Sequence, residues 1–184
     1  MDSQELGEIY TVRMFYGNGT ARLVRESPWR DTGMGVITDL GSHLLDISLF
    51  LFGSENVTFA VRDANCFENT APDYCVMVSN KTFNLQAEMT LLSWRNHFSI
   101  DILAEHGSAH LDSLCKWGPA SFIHRKRLLP SGRPDEENLI LIQSDPTWRS
   151  EYNYFKELCQ KGGSNIDNDI WIQSQFDILL NRIN

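Results

Sequence analysis

The chain has 184 residues, of which 42% are hydrophobic and 22% charged, and its formal net charge at pH 7 is −8. These values are typical of one globular domain and argue against disorder, and the acidic surplus disfavours nucleic acid or an anionic membrane as a partner. The longest nearly uncharged stretch, residues 33–53, contains Asp39, His43 and Asp46, which argues against a membrane span. We expect a single domain over residues 1–184.

The four cysteines and the N-terminal sequence indicate the compartment. The cysteines form no Cys-x-x-Cys pair and have no zinc-ligand spacing with histidine. No basic start followed by an apolar run is present near the N-terminus, so no signal peptide is predicted. We therefore expect reduced thiols in a cytoplasmic protein.

The first third of the chain predicts one strand and one helix. Residues 9–16 alternate between apolar and polar side chains, which indicates a strand. A loop rich in Gly, Arg and Pro is expected over residues 17–35. Residues 36–52 have helical periodicity, and Gly53 ends the predicted helix.

Between residues 57 and 142 the period changes to two, which predicts a series of strands. The clearest alternation is in residues 83–91 and 98–105, and shorter runs occur at 57–64, 74–79, 122–128 and 138–142. Short turns between successive strands predict an antiparallel meander with one buried and one polar face. The polar face is expected to carry Asn84, Gln86, Glu88, Thr90, Ser99, Asp101 and Glu105.

The C-terminal region predicts two helices. Asp145 is the expected cap of the first, with Pro146 at its first position and Gly162-Gly163 at its end. Ser164 or Asn165 can cap the second, whose apolar side is expected to consist of Ile172, Phe176, Leu179 and Ile183. The fold class is therefore α+β, an antiparallel open sheet with helices packed on one face.

The predicted helix over residues 36–52 carries the candidate chemistry. At about 100° per residue, Asp39, His43 and Asp46 fall on one narrow stripe together with Phe50. Histidine can exchange a proton near neutral pH, and a carboxylate one turn away can fix its tautomer or bind a substrate hydroxyl. Two alternatives remain open: Asp39 as an acid that stabilises the helix N-terminus beside a structural histidine, and a metal site made by the same three residues.

Two residues of the preceding loop are further candidates. Arg30 can contact an anionic group of a substrate, since arginine makes bidentate contacts to carboxylates and phosphates. The alternative for Arg30 is an ordinary surface arginine. Trp29 can stack on a sugar, or it can simply pack against the domain.

The order of these residues resembles a known family. Trp29-Arg30, Gly33-x-Gly35, Asp39-x-Gly41-x-His43-x-x-Asp46 and Gly53 are similar to the signature of the glucose-fructose oxidoreductase and inositol dehydrogenase (Gfo/Idh/MocA) family, in its C-terminal domain. Met34 departs from the run of three glycines that is common there. The resemblance covers nearly the whole chain, because the strands and closing helices fit as well.

The resemblance implies a two-domain enzyme. An N-terminal Rossmann domain binds NAD or NADP and supplies a catalytic lysine from a Glu-Lys-Pro segment, and the C-terminal domain supplies the substrate wall and the oligomer sheet. Asp39 would then hold the substrate or the lysine, His43 would be the acid/base on the hydroxyl that is oxidised, and Asp46 could orient His43. The substrate would be a sugar, nucleotide sugar or polyol.

The sequence lacks the cofactor half of such an enzyme. It has no Glu-Lys-Pro, and the stretch Gly17-Asn18-Gly19-Thr20-Ala21-Arg22 lacks the third glycine of a dinucleotide fingerprint and is predicted to open no helix. We expect no cofactor in this chain, a Rossmann domain as its partner, and a homo-oligomer formed through the sheet face. The alternatives are a stand-alone ligand-binding or assembly module and a small metal-dependent enzyme.

Overall fold

A computed structural model describes residues 3–183, with side chains from residue 5 to residue 180. Within that range the chain forms one sheet of eight strands and several helices. The elements are α1 (Ser3–Leu6), β1 (Ile9–Gly17), α2 (Ala21–Arg25), α3 (Val36–Phe52), β2 (Ala60–Asn65), β3 (Tyr74–Ser79), β4 (Asn84–Thr90), β5 (His97–Ala104), β6 (Gly107–Asp112), β7 (Ala120–Lys126), β8 (Glu136–Leu141), α4 (Thr147–Lys161) and α5 (Ile166–Ile183). No helix in the described part of the chain is both long and apolar enough to cross a membrane.

The sheet is mostly antiparallel, but it is not the simple meander expected from the sequence. Its strand order is β2-β3-β4-β1-β5-β6-β7-β8, and β1 pairs with β4 in parallel. β1 therefore separates β4 from β5, and the connection between them crosses the end of β1. Gly17 permits this crossing, because a Cβ there would lie 2.6 Å from the Ser93 Cβ.

The alternation predicted for β4 and β5 is confirmed by the burial of their side chains. On β5 the buried residues are Phe98, Ile100, Ile102 and Ala104, and on β4 they are Leu85, Ala87 and Met89. Thr90 departs from the polar face that was predicted for it. It is buried, and its hydroxyl donates to the Asp73 carbonyl at 3.1 Å.

Helix α3 has the predicted bounds and covers the centre of the sheet. It packs on β1, β3 and β4 with its apolar side, which includes Ile37, Leu40 and Leu44. Gly41 allows this close approach, because a Cβ there would lie 3.0 Å from the Met89 sulfur. Gly53 ends the helix with a φ of 75°, a backbone conformation that favours glycine.

The C-terminal helices differ from the prediction that both pack on the sheet. α5 does so: Leu179 is fully buried, and the Gln175 side chain accepts a hydrogen bond from the Phe59 N–H at 3.1 Å. Ile183 lies outside the residues whose side chains are described. No side chain of α4 is buried, and Trp148 is 80% exposed. The apolar stripe of α4 therefore faces away from the described core.

Three local details differ from the sequence analysis. Residues 21–25, which were expected to be loop, form the short helix α2 directly after β1 and the Gly17–Thr20 turn. Residues 107–112 form a strand, β6, although their sequence alternates weakly. α4 begins at Thr147 rather than Pro146, and Asp145 accepts the Thr147 N–H at 3.0 Å as an N-terminal cap does.

Candidate functional site

A shallow pocket lies at the N-terminal end of α3. Asp39 lines it together with Trp29 and Arg30 of the preceding loop, and its volume is about 440 Å³. The Arg30 Nη2 donates to the Asp39 Oδ2 at 3.2 Å, and the Arg30 guanidinium lies 6.0 Å from the centre of the Trp29 ring. Both charged side chains are about a third exposed. The pocket therefore presents a fixed carboxylate, a guanidinium and an exposed indole to the same space.

Asp31 fixes the loop that carries Trp29 and Arg30. It is buried, and its carboxylate accepts the backbone N–H groups of Ala71 and Thr70 at 2.8 and 2.9 Å. These two hydrogen bonds lower the pKa of Asp31 because they stabilise its charged form, and the bond from Ala71 has the larger effect. Asp31 thus ties the loop to the segment between β2 and β3.

That segment is held by a second buried carboxylate. Asp73 accepts the backbone N–H groups of Phe67, Glu68 and Asn69 at 2.9, 2.6 and 3.1 Å. The Pro72 carbonyl accepts the Val36 N–H at 2.8 Å, so the segment also holds the first turn of α3. Both residues were missed by the sequence analysis: the partners of Asp31 are 39 and 40 residues away, whereas those of Asp73 are only four to six residues away in a loop without a periodic pattern.

Gly35 permits the contact between this segment and α3. Its φ is 50°, and any Cβ on it would overlap the Pro72 carbonyl oxygen. The second glycine of the Gly33-x-Gly35 motif therefore has a direct structural reason, because α3 can begin here only against a residue without a side chain, whereas Gly33 has open space around it and a φ of 60°.

His43 lies one helical turn beyond Asp39 on the exposed side of α3. Its ring packs on that of Tyr16, at 5.6 Å between centroids and 50° between planes. Tyr16 is buried at the end of β1, and burial together with the charge of Asp39 raises its pKa. Its hydroxyl is therefore a proton-bearing donor at neutral pH. The sequence showed Tyr16 only as an apolar strand residue, so this neighbour of His43 was missed.

The five predicted site residues are brought together only in part. Trp29, Arg30 and Asp39 line the pocket, whereas His43 and Asp46 continue along the exposed stripe of α3 without lining it. Among the side chains that the structure describes, Asp46 makes no hydrogen bond to His43. Phe50, which ends the stripe, is 84% exposed.

The predicted metal alternative finds no support in this arrangement. Within the described residues no three His, Cys, Asp or Glu side chains are grouped as ligands of one ion. Asp39 instead pairs with Arg30, a cation that competes with any metal for the same carboxylate oxygen.

The turn after β1 differs from a dinucleotide-binding turn. A pyrophosphate needs free N–H groups at the start of a helix. Here the Asn18 N–H donates to the Thr90 carbonyl, the Thr20 N–H to the Asn18 side chain and the Ala21 N–H to the Leu91 carbonyl, at 3.0, 3.1 and 3.2 Å. Three backbone donors of this turn, those of Asn18, Thr20 and Ala21, are therefore already used within the chain.

The site can therefore bind a hydroxylated molecule and move a proton. The Asp39 carboxylate accepts hydrogen bonds from hydroxyls, Arg30 donates them, and an exposed indole such as Trp29 can cover the apolar face of a sugar ring. His43 lies one helical turn beyond Asp39, outside the pocket lining, and a neutral imidazole can accept a proton.

One protein-family profile matches this chain. Residues 1–110 match the sequence profile described as the GFO/IDH/MocA C-terminal domain. No curated protein sequence is similar enough to this chain to count as a match.

Solved structures share the fold at low sequence identity. A levoglucosan dehydrogenase in complex with NADH and levoglucosan superposes with a TM-score of 0.75 at 14% identity, over 98% of this chain and 58% of its own. The UDP-N-acetylglucosamine 3-dehydrogenase GnnA from Acidithiobacillus ferrooxidans gives 0.71 at 13%, over 99% and 58%. An oxidoreductase from Agrobacterium radiobacter in complex with NAD+, L-tartaric acid and magnesium gives 0.67 at 15%, over 98% and 56%. The chain thus spans little more than half the length of the proteins whose fold it shares.

Proposed function

The chain belongs to the GFO/IDH/MocA C-terminal domain family, and from that membership we propose that it is the substrate-binding half of an NAD(P)-dependent oxidoreductase. The reaction proposed is oxidation or reduction at a hydroxyl-bearing carbon of a sugar, nucleotide sugar or polyol. Two of the compared structures are named as dehydrogenases of sugar-like molecules, and their additional length leaves room for a cofactor domain. The cofactor and the remaining catalytic groups would lie on that second domain.

The observation that carries the proposal is the polar end of α3. Arg30 and Asp39 form an ion pair in a pocket of about 440 Å³, and His43 follows one turn later beside Tyr16. A helix placed only to cover a sheet would carry flexible charged side chains on its outer face. This helix instead carries a paired carboxylate in a concave surface and an imidazole one turn further along, two groups that a proton-transfer site uses.

The proposed chemistry assigns one task to each side chain. Asp39, held by Arg30, accepts a hydrogen bond from a substrate hydroxyl and fixes the orientation of the ring. His43, in its neutral form, accepts the proton of the hydroxyl that becomes a carbonyl, and it returns the proton in the reverse direction. Tyr16 supports the His43 ring, and Trp29 covers the substrate from the open side. The hydride acceptor is assigned to the separate domain, outside this chain.

The proposal is tested by joining the chain to a dinucleotide-binding domain and measuring NAD(P) reduction with a panel of sugars and polyols. Substrate-dependent reduction that His43→Asn abolishes would support it. The second candidate is a ligand-binding or assembly module without activity. That candidate predicts that the chain binds sugars but that no fusion to a dinucleotide-binding domain reduces NAD(P).

The chain alone is expected to bind neither NADH nor NADPH. The reason is that three N–H groups after β1 are hydrogen-bonded within the chain and that the stretch lacks the third glycine of a dinucleotide fingerprint. Calorimetric or fluorescence titration up to about 1 mM should show no saturation. A Kd below about 100 μM, roughly −5.5 kcal/mol, would contradict this expectation.

The open face of the sheet is proposed as the oligomer surface. It mixes polar groups with exposed apolar ones: Arg13 lies beside Asp101, the Asp101 carboxylate is 2.6 Å from the His110 Nδ1, and Leu103 is 45% exposed. Light scattering at about 100 μM, where an interface with a micromolar Kd is mostly occupied, should show a dimer or a larger assembly. Leu103→Arg should shift it to monomers, since it places a charge in the interface. A strict monomer of the unchanged chain would count against this surface.

A further inference from the structure

A second cavity adjoins the pocket at Asp39. Its volume is about 400 Å³, and Leu91 lines both cavities. Helix α2 forms the wall between them, with Ala21 on the side of the second cavity and Val24 on the side of the pocket. Leu91 is itself buried, so it forms part of the floor that the two cavities share.

The two cavities differ in chemistry. The wall of the pocket at Asp39 contains the charged side chains of Arg30 and Asp39 and the hydroxyl-bearing residues Thr32 and Thr38. The second cavity is lined largely by apolar and aromatic side chains, namely Phe67, Leu91, Leu92 and Trp94, and its charged lining residues are Arg22 and Glu68. The Arg22 Nε lies 3.9 Å from the Glu68 carboxylate, so these opposite charges are near each other. The lining thus favours an uncharged planar group.

Trp94 combines an exposed side chain with an unusual backbone conformation. It is 97% exposed, yet its backbone has a φ of 42°, which is rare for a bulky residue and must be stabilised by its surroundings. The Ser93 N–H donates to the Asn18 carbonyl at 2.9 Å, which ties the loop to the end of β1. Gly19 allows the loop to lie close, because a Cβ there would be 3.2 Å from the Trp94 carbonyl carbon. The loop therefore presents an indole on a constrained backbone at the rim of an apolar cavity.

We propose that the second cavity is the subsite for a planar aromatic group carried by the substrate whose hydroxyls lie at Asp39. This inference rests on the proposed function and specifies its substrate class: a sugar bearing an aromatic substituent, either an aryl aglycone or a nucleobase. A cavity of about 150 Å³ already holds benzene, so about 400 Å³ accommodates one ring system with its linkage. Stacking on Trp94 and contact with Phe67 would supply the affinity.

The test uses the full chain labelled with 5-fluorotryptophan, whose fluorine NMR signals are assigned by single substitutions. The probes are phenyl β-D-glucopyranoside and uridine, with methyl β-D-glucopyranoside as the probe without an aromatic ring. We expect the Trp94 signal to shift and saturate with at least one aromatic probe and to stay in place with the methyl glucoside. The Trp148 signal, from an indole 80% exposed on α4, should not move with any probe. A response to the phenyl glucoside alone indicates an aryl aglycone, and a response to uridine alone indicates a nucleobase.

Matched variants separate the subsite from surface stacking. Trp94→Gly removes the indole and suits the positive φ of the backbone, so the fold should be kept. It should raise the Kd of the responding probe about tenfold or more, measured from the signals of the probe itself. Trp148→Ala removes another highly exposed indole elsewhere and should leave that Kd unchanged. Absence of any saturable shift of Trp94 overturns the proposal, and so does an equal loss of affinity in both variants.

Asp39→Asn separates failure of the subsite from failure of the proposed function. If Asp39→Asn weakens binding of the phenyl glucoside and Trp94→Gly does not, the sugar site stands and the aromatic subsite is wrong. If Trp94→Gly weakens binding and Asp39→Asn does not, the aromatic subsite stands and the sugar site at Asp39 is wrong. Weakening by both variants supports a single ligand that spans the two cavities.

Discussion

Replacing His43 with asparagine should lower turnover about 100-fold or more once this chain is joined to a dinucleotide-binding domain, because a positioned general acid/base contributes on that scale. Asparagine keeps a polar side chain of similar size but cannot accept and return the proton of a hydroxyl. The loss should appear in kcat and in kcat/KM alike, since the missing interaction belongs to the transition state. The measurement is steady-state reduction of NAD(P) with the best substrate of a sugar and polyol panel.

Two controls accompany that result: the turnover of Asp39→Asn, and the free energy of unfolding of His43→Asn. Asp39→Asn should also lower turnover and should raise KM, because Asp39 is assigned to hold the substrate through its ion pair with Arg30. His43 is exposed, so His43→Asn should change the free energy of unfolding by about 1 kcal/mol or less. If His43→Asn unfolds the chain, or folds normally and leaves turnover unchanged, the assignment of His43 is wrong.

Replacing Leu44, the next residue along α3, with alanine should destabilise the fold by about 2–5 kcal/mol. Leu44 has no exposed surface and belongs to the core cluster between α3 and the sheet. The change removes three carbon atoms and leaves a cavity that the packed sheet can fill only partly. Urea unfolding followed by circular dichroism measures the loss, which is a large part of the about 5–15 kcal/mol that stabilises a typical domain.

His43→Asn is the matched control for Leu44→Ala, because the two residues are adjacent on one helix and differ in the side they face. The unfolding midpoint should fall strongly for Leu44→Ala, with an unchanged slope m, and little for His43→Asn. Equal effects of the two substitutions would mean that α3 does not have one buried and one free side. That result would also remove the basis for assigning its polar stripe to substrate binding.

Local periodicity was enough to predict most of the strands and helices and the buried sides of β4, β5 and α3. Period-two alternation in residues 83–91 and 98–105 gave the buried faces of β4 and β5, because a strand places successive side chains on opposite faces. Helical periodicity and the flanking glycines gave the bounds of α3 and the stripe of Asp39, His43 and Asp46. These properties depend on neighbours a few residues apart, so they can be read directly from the order of residues.

How these elements combine depends on contacts between distant parts of the chain. Every strand offers the same backbone donors and acceptors at its edges, so alternation cannot tell that β1 lies between β4 and β5 or that it pairs with β4 in parallel. The carboxylate of Asp31 binds backbone groups 39 and 40 residues further along the chain, and this contact positions Arg30 beside Asp39. The two adjacent cavities also arise from such distant contacts. Packing over the whole chain selects them, because only the complete fold brings the donors, acceptors and apolar walls into reach of one another.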